Sequence, residues 1–221
     1  MDAERWSLGR MQNPIRGFLH GSAAVAATVA SIFLIVKAPN WGIRIGVVVF
    51  GLALVALYTT SSLYHSVPWR EVGKRRMQRL DHTMIIVLIA GTYTPVIIAT
   101  LDGPLRWTGL AVAWGTVLIA ATQHIFFPRE SQAFSMALGA GMGWLGLAIG
   151  WKVVSELGWT ASGLALAGGI IYTVGIAVVA TNRPRLWPRV FSYHELFHVM
   201  VITASIVHFF VVWRYVLPAA A

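Results

Sequence analysis

No cysteine occurs in the sequence. Disulfides are therefore excluded, and a transition-metal site has only His, Asp and Glu to draw on. Charge is scarce too: Asp, Glu, Lys and Arg make up 11% of the chain and hydrophobic residues 57%, with a mean hydropathy of +0.69. A soluble domain of 221 residues cannot hide that much apolar surface. There is no low-complexity tract and no internal repeat. No polar stretch is long enough for a separate soluble domain, so residues 1–221 are expected to form one domain embedded in a membrane. The formal net charge of +9 would suggest nucleic acid in a soluble protein. Here the basic residues lie between hydrophobic runs, where they set orientation and meet anionic headgroups, so membrane lipids rather than nucleic acid are the expected partners.

The hydrophobic runs predict an all-α integral membrane protein, a seven-transmembrane-helix bundle. Seven segments of about 20 residues can be bracketed: Ile15 to Val36, Trp41 to Tyr64, Leu80 to Leu101, Leu105 to Phe127, Phe134 to Val154, Thr160 to Thr181 and Tyr193 to Leu217. Ala38-Pro39-Asn40, Val67-Pro68-Trp69, Asp102-Gly103-Pro104, Pro128-Arg129-Glu130 and Asn182-Arg183-Pro184 supply turn chemistry between them. The fifth break, Ser155-Glu156-Leu157-Gly158, is the weakest. The run after Arg16 is long enough to span the bilayer, so it is expected to anchor the chain rather than act as a cleavable signal. Twelve of the 17 Lys and Arg fall on one side of this arrangement, among them Arg5, Arg10, Arg16, Arg70, Lys74, Arg75, Arg76, Arg79, Arg129 and Arg183. Positive charge is retained on the cytoplasmic side, which puts the N-terminus in the cytoplasm and the C-terminus outside. A bacterial plasma membrane is the expected location.

That orientation carries a consequence for the polar residues inside the runs. His65 ends the second segment, Asp81 and His82 begin the third, and His194 and His198 begin the seventh. All five come to one layer near the cytoplasmic face. His194 and His198 are four residues apart, so they stack on one helical face. Ionisable side chains in a membrane helix are costly and mark functional sites. The expected chemistry is Zn2+ held by His65, His194 and His198, with a fourth position open, as in catalytic zinc sites. Asp81 would handle the proton. Ser61, one turn before His65 on the same face, would reach Asp81 or the water, although serine in such a helix more often bonds its own backbone.

Other residues read differently. His82 is about 100° around the helix from Asp81 and cannot share its centre. His20 and His124 are expected to be satisfied core or interfacial residues. His208 lies about 15 Å beyond His198 along the helix and cannot ligate the same ion. His194-Glu195-Leu196-Phe197-His198 matches the H-E-x-x-H of zinc proteases. An interfacial carboxylate near a helix N-terminus is the better reading of Glu195. Gly139, Gly143, Gly146 and Gly150 form small-residue stripes for close helix packing, and the ten Trp fall mostly near segment ends.

Ser61-Ser62-Leu63-Tyr64-His65-Ser66, Leu80-Asp81-His82 followed by Ile89-Ala90-Gly91-Thr92-Tyr93-Thr94-Pro95, and His194-x-x-x-His198 with His208-Phe209-Phe210 together resemble the hemolysin III family, which belongs with the progestin and adipoQ receptors (PAQR). The resemblance spans nearly the whole chain. It implies seven helices with the N-terminus inside, zinc on His65, His194 and His198, and a water-associated acid at Asp81. A wider similarity to zinc-dependent membrane amide hydrolases, alkaline ceramidases among them, suggests hydrolysis of a lipid amide or ester, with a lipid-like substrate and a role in membrane lipid homeostasis. The alternatives are a membrane-lipid sensor or receptor with structural zinc and a pore-forming hemolysin. The polar residues gather on one side of the bilayer, which disfavours a pore.

Overall fold

The computed structural model describes residues 11, 13–126, 132–187 and 190–221. Phe127, the turn expected at Pro128-Arg129-Glu130, and the charges at Arg5, Arg10 and Arg189 lie outside the described residues. Every regular element described is helical: α1 (Pro14–Lys37), α2 (Trp41–Ser66), α3 (Glu71–Thr100), α4 (Gly103–Phe126), α5 (Gln132–Trp144), a 3-10 stretch (Leu145–Ile149), α6 (Gly150–Thr181) and α7 (Tyr193–Val211). A π-helical turn (Val212–Val216) and a short α8 (Leu217–Ala219) complete the chain. Among the described residues there is no strand, only an isolated bridge between Trp187 and Phe191.

Among the described residues, six helical stretches are long and apolar enough to cross a membrane. Helices answer the problem of an apolar solvent because each satisfies its own backbone hydrogen bonds. The outer surface agrees with such a solvent: Leu118, Ile125, Phe126 and Trp159 are all more than half exposed. In lipid that exposure carries no penalty.

α2 is the central element, packed along α1 on one side and α3 on the other, while α4 lies along α3 and α6 along α7. Phe50 and Val47 of α2, with Leu34 of α1, are fully buried in the main core. A second cluster joins Ile86 and Ala90 of α3 to Ala113, Val117 and Ala120 of α4 and to Met142 of α5. Close approach of α2 and α3 depends on Gly91, where an added Cβ would meet the Cβ of Ala53 at 2.6 Å.

Two boundaries differ from the sequence expectation. α3 starts at Glu71 rather than Leu80, because bracketing by apolarity cannot see charged helical turns. Glu71, Lys74, Arg75 and Gln78 are good helix formers, and Glu71 pairs with Arg75 one turn on at 3.2 Å. At about 45 Å for 30 residues, α3 exceeds the hydrocarbon thickness, so its basic first turns extend beyond the apolar layer.

The fifth and sixth runs meet at a kink rather than a loop, within the expected break: the helical stretch Ser135–Thr181 is interrupted at Gly158. The segment Ser155-Glu156-Leu157-Gly158 lacks a proline, and only Gly158 leaves helical geometry, at φ 83° and ψ 169°. Earlier in that stretch the helix tightens to 3-10, where the Tyr93 hydroxyl of α3 donates to the Gly143 carbonyl and accepts from the Gly146 N–H at 3.0 Å. Gly139 and Gly146 do lie against α3, at Ile86 and Tyr93, whereas Gly143 and Gly150 face open space. Half of the expected small-residue stripe therefore serves packing.

The backbone at Gly158 is in a region that only glycine occupies without strain. Gly158→Ala is expected to cost about 1–3 kcal/mol, although nothing lies within 4 Å of its Cβ position. Gly163→Ala, equally uncrowded but in regular helix, should be neutral or gain up to about 1 kcal/mol. Thermal unfolding of the two variants in detergent checks the contrast. Equal midpoints would show that the break is not held by backbone conformation.

Candidate metal centre

Helix ends set the geometry of the site. α2 stops at Ser66, where Val67-Pro68 follows and the Val67 N–H closes the last turn on the Leu63 carbonyl. α7 begins with a capping box: Ser192 is the N-cap, and the Glu195 carboxylate returns to the Ser192 N–H at 2.9 Å. The start of α1 is fastened to both. The Asn13 N–H donates to the His65 carbonyl at 2.9 Å, and Ser62 Oγ donates to the Gly17 carbonyl at 2.8 Å. Arg16 Nε donates to Glu195 Oε1 at 2.6 Å, with both side chains about nine-tenths buried.

These anchors bring His65 of α2 against His194 and His198 of α7. Candidate ligand nitrogens of the three all lie within 4.8 Å of one another. Ring centroids are 5.3 Å apart for His65 and His194, 4.9 Å for His65 and His198, and 5.1 Å for His194 and His198. Nitrogens about 2.0–2.1 Å from a tetrahedral zinc are separated by about 3.3 Å. The spacing of the triad is of the order a single ion requires. His65 and His198 are buried and His194 half-buried, so such an ion would be largely shielded from solvent. Three neutral imidazoles in one place are a poor arrangement without a cation and a good one around it, and the donor set suits a divalent transition metal.

Ser61 shares the buried face of α2 with His65, one turn away. Across from it on α3, Asp81 lies near the Ser61 side chain. Asp81 is thus placed beside the turn of α2 that leads into the triad.

The remaining histidines sort themselves by contact. His124 is a satisfied interior residue, as expected. Thr83 Oγ1 donates to the Arg79 carbonyl, so at 2.6 Å it accepts from His124 Nδ1, while His124 Nε2 meets Ser135 Oγ at 2.8 Å. His82 lies near His124. His208 stacks on Tyr172 with centroids 5.9 Å apart, well away from the triad. Between the two sites, the Tyr172 hydroxyl meets Ser205 Oγ at 2.8 Å. Polar groups therefore continue deeper along α7 than the one-sided layer read from sequence.

His20 is a buried core residue, as expected, and it touches the triad: its Nε2 lies 2.9 Å from His198 Nδ1, and the two rings are 4.0 Å apart. Arg16 was counted in the sequence only as an orienting charge. A signal was available, since Arg16 and His20 are four residues apart on one face of α1, matching Glu195 and His198 three apart on α7. What the sequence could not supply was the pairing of α1 with α7. Glu195 is committed to Arg16 and to the α7 cap through its two oxygens. That leaves it poorly placed as the general base of a zinc protease.

Comparison with known proteins gives a consistent picture. The sequence pattern of the family described as Haemolysin-III related matches residues 9–209. The chain is 37% identical over 205 residues to Hemolysin-3 of Bacillus cereus, covering 91% of this chain and 90% of that protein. It is 25% identical over 207 residues to the monocyte to macrophage differentiation factor of Homo sapiens, covering 90% and 82% respectively. Heptahelical transmembrane protein 5 of Arabidopsis thaliana is 32% identical over 151 residues, covering 60% of this chain and 40% of that protein.

Removing one partner of a buried ion pair leaves the other charge uncompensated. Glu195→Ala is expected to destabilise the protein by about 3–5 kcal/mol. Asp102→Ala, which breaks the far more exposed pair with Arg106, should cost no more than about 1 kcal/mol. Thermal unfolding in detergent reads both. Equal losses would mean that the α1–α7 tie is not structural.

Proposed function

The chain belongs to the Haemolysin-III related family of integral membrane proteins, and we propose that it is a zinc-dependent hydrolase of a lipid amide or ester, acting in membrane lipid homeostasis. The observation that carries this reading is the convergence of His65, His194 and His198, which would form the centre, with Asp81 and Ser61 proposed as its proton-handling pair. His65, His194 and His198 would hold a zinc ion, which when bound would supply Lewis acidity and lower the pKa of a water molecule. Asp81 accepts the proton from the attacking water at its carboxylate and passes it to the leaving amine or alcohol. Ser61 holds the Asp81 carboxyl in place by a hydrogen bond. The bundle itself would orient a lipid-like substrate, since the triad lies near one end of helices whose outer surface is apolar.

In this reading Gly158 divides the Ser135–Thr181 stretch into two spans and the bundle has seven helices. A straight helix of 47 residues would be about 70 Å long, more than twice the thickness of a hydrocarbon core. The name of the Arabidopsis relative, a heptahelical transmembrane protein, is in keeping with that count. The N-terminus is then cytoplasmic, the C-terminus outside, and the site lies near the cytoplasmic face, where the basic residues of the first turns of α3 meet anionic headgroups.

Two measurements on detergent-purified full-length protein test the proposal. Elemental analysis should find one zinc per chain, lost in His65→Ala and in His198→Ala. In mixed micelles of N-acyl and O-acyl lipids, the zinc-loaded protein should release free fatty acid. Asp81→Ala should retain zinc and lose at least about 100-fold in rate, the scale of a general base. Zinc without turnover in the wild type would favour a lipid sensor with structural zinc. Full turnover by Asp81→Ala would remove the assignment of the base.

A further inference from the structure

His20 is buried on α1, 3% exposed, and among the described residues its polar contact is with one residue. Its Nε2 lies 2.9 Å from His198 Nδ1, while its own Nδ1 is buried with no hydrogen-bond partner among the described residues. The Tyr58 ring packs edge-on against it at 5.1 Å between centroids. A polar ring held this way in the interior of a membrane bundle is costly unless it is used. The contact engages one nitrogen of His198 and leaves the other, Nε2, for the centre shared with His65 and His194.

We propose that His20 is a positioning residue for the metal centre: it accepts the Nδ1–H of His198 at its own Nε2, fixing the tautomer and plane in which His198 presents Nε2 to the ion. This rests on the reading of His65, His194 and His198 as metal ligands. The physical basis is general. A metal-bound imidazole donates its remaining N–H to an acceptor, and that acceptor sets ring orientation and ligand basicity. Carboxylates and carbonyls usually fill the role. Here an imidazole does, which avoids burying an additional negative charge beside lipid. The reverse hydrogen bond, with His20 as donor, would leave His198 protonated at Nε2 and unable to ligate. Only one of the two directions is compatible with a bound ion. The geometry also gives the α1–α7 contact a second rung: Arg16 meets Glu195, and one turn further in His20 meets His198.

Zinc affinity of the full chain in detergent, measured by competition with a chelator of known affinity, provides the test. His20→Phe keeps the ring volume and removes the acceptor, so zinc should bind 10–100-fold more weakly. His20→Gln places an amide oxygen near the position of Nε2 and should bind within a few-fold of wild type. If His20→Phe binds zinc as tightly as wild type, His20 is a packing residue and the proposal is overturned, while the three-histidine centre stands. If wild type binds no zinc, the centre itself is refuted and the His20 role falls with it. Should His20→Phe fail to fold, 15N NMR of histidine-labelled, zinc-loaded wild type decides the matter. Protonation of His198 at Nδ1 with metal on Nε2 is expected, and metal on Nδ1 overturns the proposal.

Discussion

The buried ion pair between Arg16 and Glu195 is the constraint on which the site depends. A charge inside a membrane bundle is tolerated only when it is paired, and its partner must then be held in place. Glu195 is fixed by its position in the α7 capping box, and Arg16 by the first turn of α1. Together they set the depth at which α7 starts relative to α1. The Asn13 and Ser62 hydrogen bonds set the end of α2 against the same turn of α1. His65 and the His194–His198 pair are therefore brought together by contacts that belong to none of them. α1 contributes no residue to the triad and yet positions all of it.

The same logic explains how a bundle so apolar holds its polar residues. Each buried imidazole has an identifiable use or partner: His124 between Thr83 and Ser135, His208 on Tyr172, His20 on His198, and the triad around a common centre. In lipid there is no water to satisfy an orphaned group, so polar residues accumulate where other polar residues already are. A functional centre and the polar groups that support it thus tend to grow as one cluster.

Much of this was legible in the sequence, and what was not follows a pattern. Apolar runs gave the spanning helices because hydropathy responds directly to lipid, and the four-residue spacing of His194 and His198 gave their shared face. Loop charges placed His65 and Asp81 at the same level. The charged first turns of α3, from Glu71 to Arg79, were missed because their helicity comes from propensity and an ion pair rather than apolarity. The break near Gly158 was legible in place but not in form, because one glycine can redirect a helix without unwinding its neighbours. His20 reads from sequence as a core or interfacial residue, but not as a neighbour of His198, since which helix faces α1 is a tertiary fact. Glu195 sits in a motif that elsewhere supplies a general base. Only Arg16, distant by 179 residues, shows that the carboxylate is already engaged.

The central claim is that imidazoles from two helices, His65 on α2 and His194 and His198 on α7, surround a single ion. X-ray absorption at the zinc edge of the loaded protein addresses that claim without any assumption about substrate. Three imidazoles should appear as outer-shell scattering from three rings, behind a first shell of nitrogen and oxygen at about 2.0–2.1 Å. A shell of oxygen alone, or scattering from a single ring, would place the metal elsewhere and contradict the site.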